Sequence, residues 1–148
     1  MILRTATERD LDALTAVEAA CFPAAEAATR EELAERLRAY GDHFWLLFDG
    51  ETLVSFVDGM VTDLPDLTDE MYADTSFHDE NGAWQMIFGV NTLPAYRKQG
   101  FAGRLLERAI ADAKAQGRKG LVLTCKDRLV HYYAKFGFVN EGVSESVH

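Results

Sequence analysis

The stretch NTLPAYRKQGFAGRLLERAIADAKAQG, residues 91–117, contains the transition that decides the fold. A short apolar run ends at a proline, and a basic turn then leads directly into a strongly amphipathic segment. Apolar residues recur there with the spacing of one helix face: Phe101, Leu105, Ala109 and Ala113. Gly117 is a natural helix end. The pattern predicts a strand, a glycine-containing turn and a helix in immediate succession.

The start of that helix is suited to bind an anion. The first amides of a helix have no partner within it, and they carry the positive end of the helix dipole. Gly100 lets the backbone approach a ligand closely, and Arg97, Lys98 and Arg104 add positive charge around it. A diphosphate fits this pattern, although a lone glycine at a helix start is also typical of an ordinary tight turn. The segment matches neither the nucleotide phosphate loop nor the three-glycine dinucleotide motif, which disfavours a nucleoside triphosphatase or a dehydrogenase.

Composition predicts one globular domain over residues 1–148. The chain is 48% hydrophobic and 26% charged, which suits a compact core. No apolar run approaches a membrane span, and MILRTATERD lacks the order of a signal peptide. Cys21 and Cys125 lie far apart without metal-type spacing, so we expect two buried thiols in a reducing cytoplasm.

Charge is unevenly distributed along the chain, whose net charge is −9. Residues 1–96 hold 5 Lys/Arg against 19 Asp/Glu, whereas residues 97–135 hold 10 against 3. The asymmetry indicates either two ligands of opposite charge or two solvated faces. Overall acidity argues against nucleic acid as the partner, because phosphate-backbone binding needs a basic surface.

The remaining patterns predict a single α/β domain. Strands are expected at residues 2–6, on both sides of an Asp49-Gly50 hairpin turn, at 83–92, at 120–125 and from Phe138 onward. Helices are expected after the capping residues Thr7 (with Asp10) and Thr29 (with Glu32), over 100–116, and in DRLVHYYAKFGF, closed by Gly137. Residues 63–82 hold seven Asp/Glu and no Lys/Arg. This acidic segment is predicted to be a surface loop with one helical turn near Met71.

At this point a family resemblance emerges. LPAYRKQGFAGRLL resembles the acetyl-coenzyme A signature of the GNAT N-acetyltransferase superfamily, (Arg/Gln)-x-x-Gly-x-(Gly/Ala), at Arg97, Gly100 and Ala102. GLVLTCKDRLVHYYAKFGF is similar to the next strand and helix of the arylalkylamine N-acetyltransferase branch. LTDEMYADTSFHDENGAWQMIFGV and VEAACFP match that branch in order and spacing, so the resemblance covers nearly the whole chain. It implies a mixed, mostly antiparallel central sheet with splayed central strands, flanked by about four helices.

The resemblance also implies how acetyl-CoA, the co-substrate, is held without a metal. The coenzyme diphosphate would bind the amides of one loop, with a basic side chain nearby: Arg97, Lys98, Gln99, Gly100, Phe101, Ala102, Gly103 and Arg104. The pantetheine arm would pair with the backbone of the central strand at Val90, Asn91 and Thr92. A bulge in that strand, followed by splaying from the next strand, would open the slot for the arm. Tyr133, in the Y-x-(K/R)-F-G-F segment, would be the general acid that protonates the leaving thiolate.

The proton acceptor is where the chain departs from the family. The animal arylalkylamine enzymes carry two histidines on the central strand, and those positions are Met86 and Phe88 here. Neither side chain can accept a proton. Bulk water through a channel, His131 and His78 are the alternatives, although helical rotation turns His131 away from Tyr133.

The amine site is inferred from the loop CFPAAEAA, which corresponds to the family's flexible loop over the acceptor. Phe22, Pro23 and Glu26 are its candidate residues, with Met86 and Phe88 as an apolar floor. The expected partner is a small primary amine such as an arylalkylamine, which the acidic segment would attract.

Two alternatives to amine transfer remain open, as do other features of the chain. A peptide N-terminal acetyltransferase is disfavoured by Lys126, because that class has an asparagine there. A non-catalytic coenzyme A sensor is the second alternative. Direct transfer needs no protein nucleophile, so Cys125 is given no catalytic role. The family continues into a last strand where this chain has VNEGVSESVH, so we expect that strand to be short or absent. Monomer and homodimer are both open.

Overall fold

A computed structural model describes residues 1–142, apart from the side chain of Asp127. Within this range there are seven strands: β1 Ile2–Thr5, β2 Phe44–Asp49, β3 Thr52–Asp58, β4 Val61–Thr62, β5 Trp84–Ile87, β6 Gly89–Thr92 and β7 Gly120–Leu123. There are five α-helices: α1 Leu11–Cys21, α2 Arg30–Tyr40, α3 Glu70–Ala73, α4 Phe101–Ala115 and α5 Val130–Ala134. The mixed α/β architecture confirms the prediction. Five α-helices are present where about four were expected, and two of them, α3 and α5, have only four and five residues.

The strands form two half-sheets. β1, β2, β3 and β6 are neighbours in that order and are antiparallel throughout. β4, β5 and β7 form the second half-sheet, in which β5 runs antiparallel to β4 and parallel to β7. The predicted central strand over 83–92 is therefore divided between the two half-sheets.

The division occurs at a β-bulge. The Phe88 amide donates to the Asp58 carbonyl at 2.7 Å, while Gly89 is the residue that pairs with Asp58 in the strand register. Two residues of the central strand thus oppose one residue of β3, the arrangement that bends a strand and ends its pairing. Within residues 1–142, β7 pairs with β5, which precedes the bulge, and not with β6, which follows it. The expected bulge and splaying are both confirmed.

Helices cover both faces of the sheet. Leu14 of α1 and Leu33 of α2 are fully buried against Phe44 and Phe56 on one face. Leu105 and Leu106 of α4 are fully buried with others on the opposite face. Each buried side chain of this size contributes about 1.5–3 kcal/mol to folding. The bulge therefore has the core formed with α1 and α2 on one face of the sheet and the core formed with α4 on the other.

Local sequence signals are confirmed at several boundaries. Thr29 and Glu32 exchange hydrogen bonds at the start of α2, with the Glu32 amide donating to Thr29 Oγ1 at 3.1 Å. Gly50 has φ of 60° at the first position of the two-residue turn between β2 and β3, where a hairpin favours glycine. The acidic segment contains the expected helical turn, α3, with Met71 buried.

Two expectations are corrected. Within the described residues Cys21 and Cys125 form no disulfide, but both are half-buried rather than buried, since Cys21 ends α1 and Cys125 lies in the segment that follows β7. Residues 138–142 form no strand, and the rest of the strand predicted from Phe138 lies outside the described residues. Among residues 1–142, no helix combines the length and apolar character needed to cross a membrane.

Candidate active site

The edge of β6 that faces away from β3 carries backbone groups without a strand partner. Backbone groups alternate between the two edges of an antiparallel strand. The Leu93 amide donates to the Val54 carbonyl at 2.9 Å, which turns the odd-numbered residues of β6 toward β3. The outward groups are therefore those of Val90 and Thr92. Asn91 does not fit the expected backbone role, because its own groups face β3.

The basic turn, residues 97–100, follows this edge. Lys98 has φ of 64° and Gly100 has φ of 82°, so both adopt the left-handed conformation. Gly100 is the N-cap of α4, and its carbonyl accepts from the Arg104 amide at 3.1 Å. Phe101, Ala102 and Gly103 form the first turn of α4, where a helix offers its amides no partner within the helix. A run of free amides at a helix start is the geometry that binds a phosphate.

The basic side chains of this region are disposed differently. Arg97 donates from Nε to the Thr92 carbonyl at 3.0 Å. Lys98 and Arg104 are exposed beside the start of α4, and Gln99 is exposed as well. Gly103 is buried in α4, and a Cβ there would lie 3.1 Å from the Phe136 ring. Gly103 therefore allows α4 to pack closely on Phe136.

Tyr133 lies in α5 and is buried against the α4 face of the sheet. Burial raises the pKa of Tyr133 to about 12, and the neighbouring Tyr132 and Cys125 act in the same direction. The hydroxyl therefore stays protonated at all physiological pH values and is available as a hydrogen-bond donor. His131 is exposed, whereas Tyr133 is buried, so the two side chains face different surroundings.

The opposite face of the bulge is mainly aromatic. Met86 is fully buried, and half-buried Phe88 packs against Tyr72 of α3 with 4.6 Å between ring centroids and 35° between the ring planes. The α1–α2 loop, residues 22–29, borders this face. Phe22 is half-buried there, while Pro23 and Glu26 are exposed.

Glu18 ties the α1–α2 loop to the central strand. Its carboxylate accepts from the Ala28 amide at 2.9 Å and from Asn91 Nδ2 at 3.2 Å. Burial raises the pKa of Glu18. Glu18 therefore links the C-terminal end of the loop to β6, the strand that has one open edge.

Asp58 and Arg36 form a buried ion pair behind the bulge that sequence analysis missed. Asp58 Oδ2 and Arg36 Nη1 are 3.4 Å apart, and both side chains are almost fully buried. Arg36 also donates to the Tyr72 carbonyl at 2.8 Å and lies over the Phe88 ring at 5.3 Å. In the sequence, Asp58-Gly59 has the composition of a turn, and only the pairing of β3 with β6 brings Asp58 to the bulge.

A second polar cluster lies near the start of β5. His43 Nε2 is 2.9 Å and His78 Nε2 is 3.1 Å from the carboxylate of Glu80, which Arg118 also contacts. These three His and Glu side chains could in principle hold a metal ion. However, His78 Nδ1 accepts from the Val61 amide at 3.0 Å, so the proton of neutral His78 is on Nε2. His78 is thus neither a ready metal ligand nor a free base.

The family model described as "Acetyltransferase (GNAT) family" matches residues 11–138. None of the proteins with curated functions is similar enough to this chain to count as a match.

Solved structures share the fold. The GphF GNAT-like decarboxylase in complex with isobutyryl-CoA is 29% identical, with a TM-score of 0.77 over 94% of this chain and 73% of that chain. The loading GNATL domain of CurA from Lyngbya majuscula is 25% identical, with a TM-score of 0.77 over 90% and 68% of the two chains. A GNAT family acetyltransferase from Brucella melitensis in complex with acetyl-CoA is 18% identical, with a TM-score of 0.64 over 94% and 82%.

Proposed function

Because the chain belongs to the GNAT acetyltransferase family, and its co-substrate is accordingly acetyl-CoA or a related acyl-CoA, we propose that it acetylates a small primary amine. The observation that carries this proposal is the continuity of two backbone surfaces. The open edge of β6 at Val90 and Thr92 leads through the basic turn to the free amides at the start of α4. Together they match an extended arm followed by a diphosphate.

The reaction needs little from the protein beyond positioning and charge stabilisation. The amine nitrogen forms a bond to the thioester carbonyl carbon, and the carbon–sulfur bond breaks. An outward amide of β6 would hold the carbonyl oxygen as negative charge develops on it. The Tyr133 hydroxyl would donate to the thiolate that leaves. Both groups, the outward amide and the Tyr133 hydroxyl, are supplied by the protein itself.

The acceptor class is supported by charge and by aromatic surface. The acidic segment carries seven carboxylates, and Tyr72 of the same segment contacts Phe88 on this face. An ammonium group is attracted by the carboxylates, and an aryl ring finds stacking partners in the two rings. We therefore favour an arylalkylamine over a peptide N-terminus. We expect the reaction to occur in the cytoplasm.

Thiol release from acetyl-CoA tests the proposal across a panel of amines: phenethylamine, tryptamine, spermidine, an aminoglycoside and a short alanine-initiated peptide. Saturable turnover with an aryl amine supports it. Turnover with the peptide or polyamine alone would retain acetyl transfer and contradict the acceptor class. Tight coenzyme binding without any turnover would favour the non-catalytic sensor.

Decarboxylation of an acyl-CoA that bears a carboxylate is a second candidate. It is favoured by the likeness to the GphF GNAT-like decarboxylase and by the apolar residues Met86 and Phe88. Loss of carbon dioxide needs no general base, and an apolar site strips water from the reacting carboxylate. Malonyl-CoA and methylmalonyl-CoA distinguish the two reactions. A decarboxylase forms acetyl-CoA or propionyl-CoA without releasing free thiol, whereas an amine acetyltransferase leaves both compounds unchanged.

A further inference from the structure

We propose that Asp58 accepts the proton that the substrate ammonium must lose before its nitrogen can attack the thioester. The inference rests on the proposed amine transfer and supplies the base that the central strand lacks. It is based on the position of Asp58 at the bulge, on the charge balance around it and on the unpartnered polar atoms beside it.

Asp58 lies against the one position of the bulge that has no side chain. A Cβ on Gly89 would come within 3.1 Å of Asp58 Oδ1 and within 3.2 Å of Asn91 Nδ2. The Asp58 carboxylate therefore covers the Gly89 backbone on the α1–α2 face. The open edge of β6, where the thioester would bind, is the other edge of the same short strand. A ligand that reaches the thioester from the α1–α2 face would pass the carboxylate, in direct contact or through one water.

The charges that face Asp58 leave one carboxylate without a cation. Arg36 from α2 is the positive group, Glu18 from α1 is a second carboxylate, and Tyr40 and Tyr72 are neutral phenols. Burial raises the pKa of Asp58 to about 7, although Arg36 opposes the shift. Two carboxylates and one guanidinium attract a further cation. A substrate ammonium has the charge that this cluster lacks.

Buried polar atoms without a partner surround the same point. Within residues 1–142, Arg36 Nε, Tyr40 Oη and Asn91 Oδ1 are buried and make no hydrogen bond. A buried donor or acceptor without a partner destabilises the folded state, so native proteins rarely group several together. Both donors and acceptors are present in the group. This combination indicates that a polar ligand or water completes the cluster.

The proposed step balances in protons and charge. The ammonium transfers one proton to the Asp58 carboxylate, giving a neutral amine and a neutral carboxylic acid. The nitrogen lone pair then forms the bond to the carbonyl carbon while the carbon–sulfur bond breaks. The second proton that nitrogen loses restores the Tyr133 hydroxyl, which has given its own proton to the thiolate. A group that titrates near neutral pH is suited to this exchange, because it can take the proton at pH 7.5 and release it to solvent afterwards.

The test compares two amines in one variant. Phenethylamine is an ammonium at pH 7.5, whereas trifluoroethylamine is already a neutral amine. Asp58→Asn should lower kcat/KM for phenethylamine roughly 100-fold and that for trifluoroethylamine much less. Phenethylamine turnover by the variant should recover as the pH rises and the amine loses its proton to solvent. Asp112→Asn is the control, since Asp112 accepts from Trp45 Nε1 at 2.8 Å on the opposite face and should affect neither amine.

A second variant guards against a general loss of structure. Arg36→Gln removes the cation beside Asp58 and should move the inflection of the wild-type pH–rate profile, expected at about pH 7, to higher pH. Equal losses for the two amines in Asp58→Asn, or an unmoved inflection in Arg36→Gln, would overturn the role of Asp58 while amine transfer stands. No turnover of any amine by the wild type would overturn both.

Discussion

Arg97 donates from Nε to the backbone carbonyl of Thr92 at 3.0 Å, and this contact joins the basic turn to the open edge of β6. Cys21 Sγ donates to the same carbonyl at 3.3 Å. An arm that pairs with β6 must share or displace these donors. If the arm displaces Arg97 from Thr92, the Arg97 guanidinium is released beside the amides proposed for the diphosphate. We therefore expect binding of the arm and binding of the diphosphate to be coupled.

Arg97→Ala should weaken coenzyme A binding by roughly 10–100-fold, since a charge-assisted hydrogen bond contributes about 1.5–3 kcal/mol. Calorimetric titration with coenzyme A measures the loss. Arg108→Ala is the matched control, because Arg108 is exposed on α4 and pairs with Asp112 at 3.2 Å. Equal losses in both variants would show that only general positive charge matters.

Gly100→Ala should both destabilise the protein and weaken coenzyme binding. Left-handed backbone costs a residue with a Cβ about 1–2 kcal/mol. Gly117 has φ of 78°, and like Gly100 it has open space around its Cβ position. Gly117→Ala should therefore lower thermal stability by a similar amount and leave coenzyme affinity unchanged. Comparable losses of affinity in the two variants would argue against a binding role for Gly100.

Tyr133→Phe should lower kcat roughly 100-fold and leave the coenzyme dissociation constant unchanged, since only the hydroxyl is removed. With its pKa raised to about 12, Tyr133 should cause no fall in rate as the pH increases up to about 10. Tyr132→Phe is the control, with its ring centroid 5.1 Å from that of Tyr133. Full turnover by Tyr133→Phe would remove the hydroxyl from the reaction.

Asp10→Asn should destabilise the protein by about 1 kcal/mol at pH 7, because Asp10 accepts from Arg4 and from the Thr7 amide at 2.8 Å. The Arg4 hydrogen bonds lower the pKa of Asp10. Its contribution is therefore present above the unfolded-state value of about 3.9 and is lost as the pH falls through the lower folded-state pKa.

Urea unfolding at pH 7 and at about pH 2.5 measures the change in Asp10→Asn, and the difference from wild type should shrink in acid. Asp12→Asn removes an exposed pair with Arg30 and should cost less than about 0.5 kcal/mol at either pH. A difference for Asp10→Asn that does not depend on pH would contradict the role of the ion pair.

Zinc should not stabilise the protein through His43, His78 and Glu80. Binding at His78 Nε2 requires loss of its proton, while Nδ1 is held as an acceptor by the Val61 amide. Arg118 also adds positive charge 3.2 Å from Glu80. Thermal melts with equimolar zinc or with a chelator should agree within about 1 °C, less than a stability change of 1 kcal/mol would cause. A rise with zinc that His78→Ala abolishes would contradict the assignment.

Local signals in the sequence account for much of the fold. The helix predicted over 100–116 is α4, and the Asp49-Gly50 turn joins β2 to β3 as expected. These features depend on neighbouring residues, so periodicity and turn chemistry are sufficient to find them. The bulge was expected only from the family resemblance, because the run WQMIFGVNT shows no interruption at Phe88.

The buried charges could not be predicted in the same way. Arg36 belongs to a helix rich in exposed charges, and Asp58 precedes a glycine as turn residues often do. Their pairing depends on how α2 crosses β3, which is a tertiary relationship without a local pattern. The same holds for Asn91, whose backbone direction is set by the register of β6 with Val54.

That register has a consequence for hydrogen exchange. Inward amides of β6, such as Asn91, are tied to β3, whereas the amide of Val90 faces the open slot. In the free protein, exchange rates should therefore alternate along β6 between slow and fast. Saturating coenzyme should slow Val90 most, so deuterium uptake resolved to single residues would report directly on the pairing of the arm.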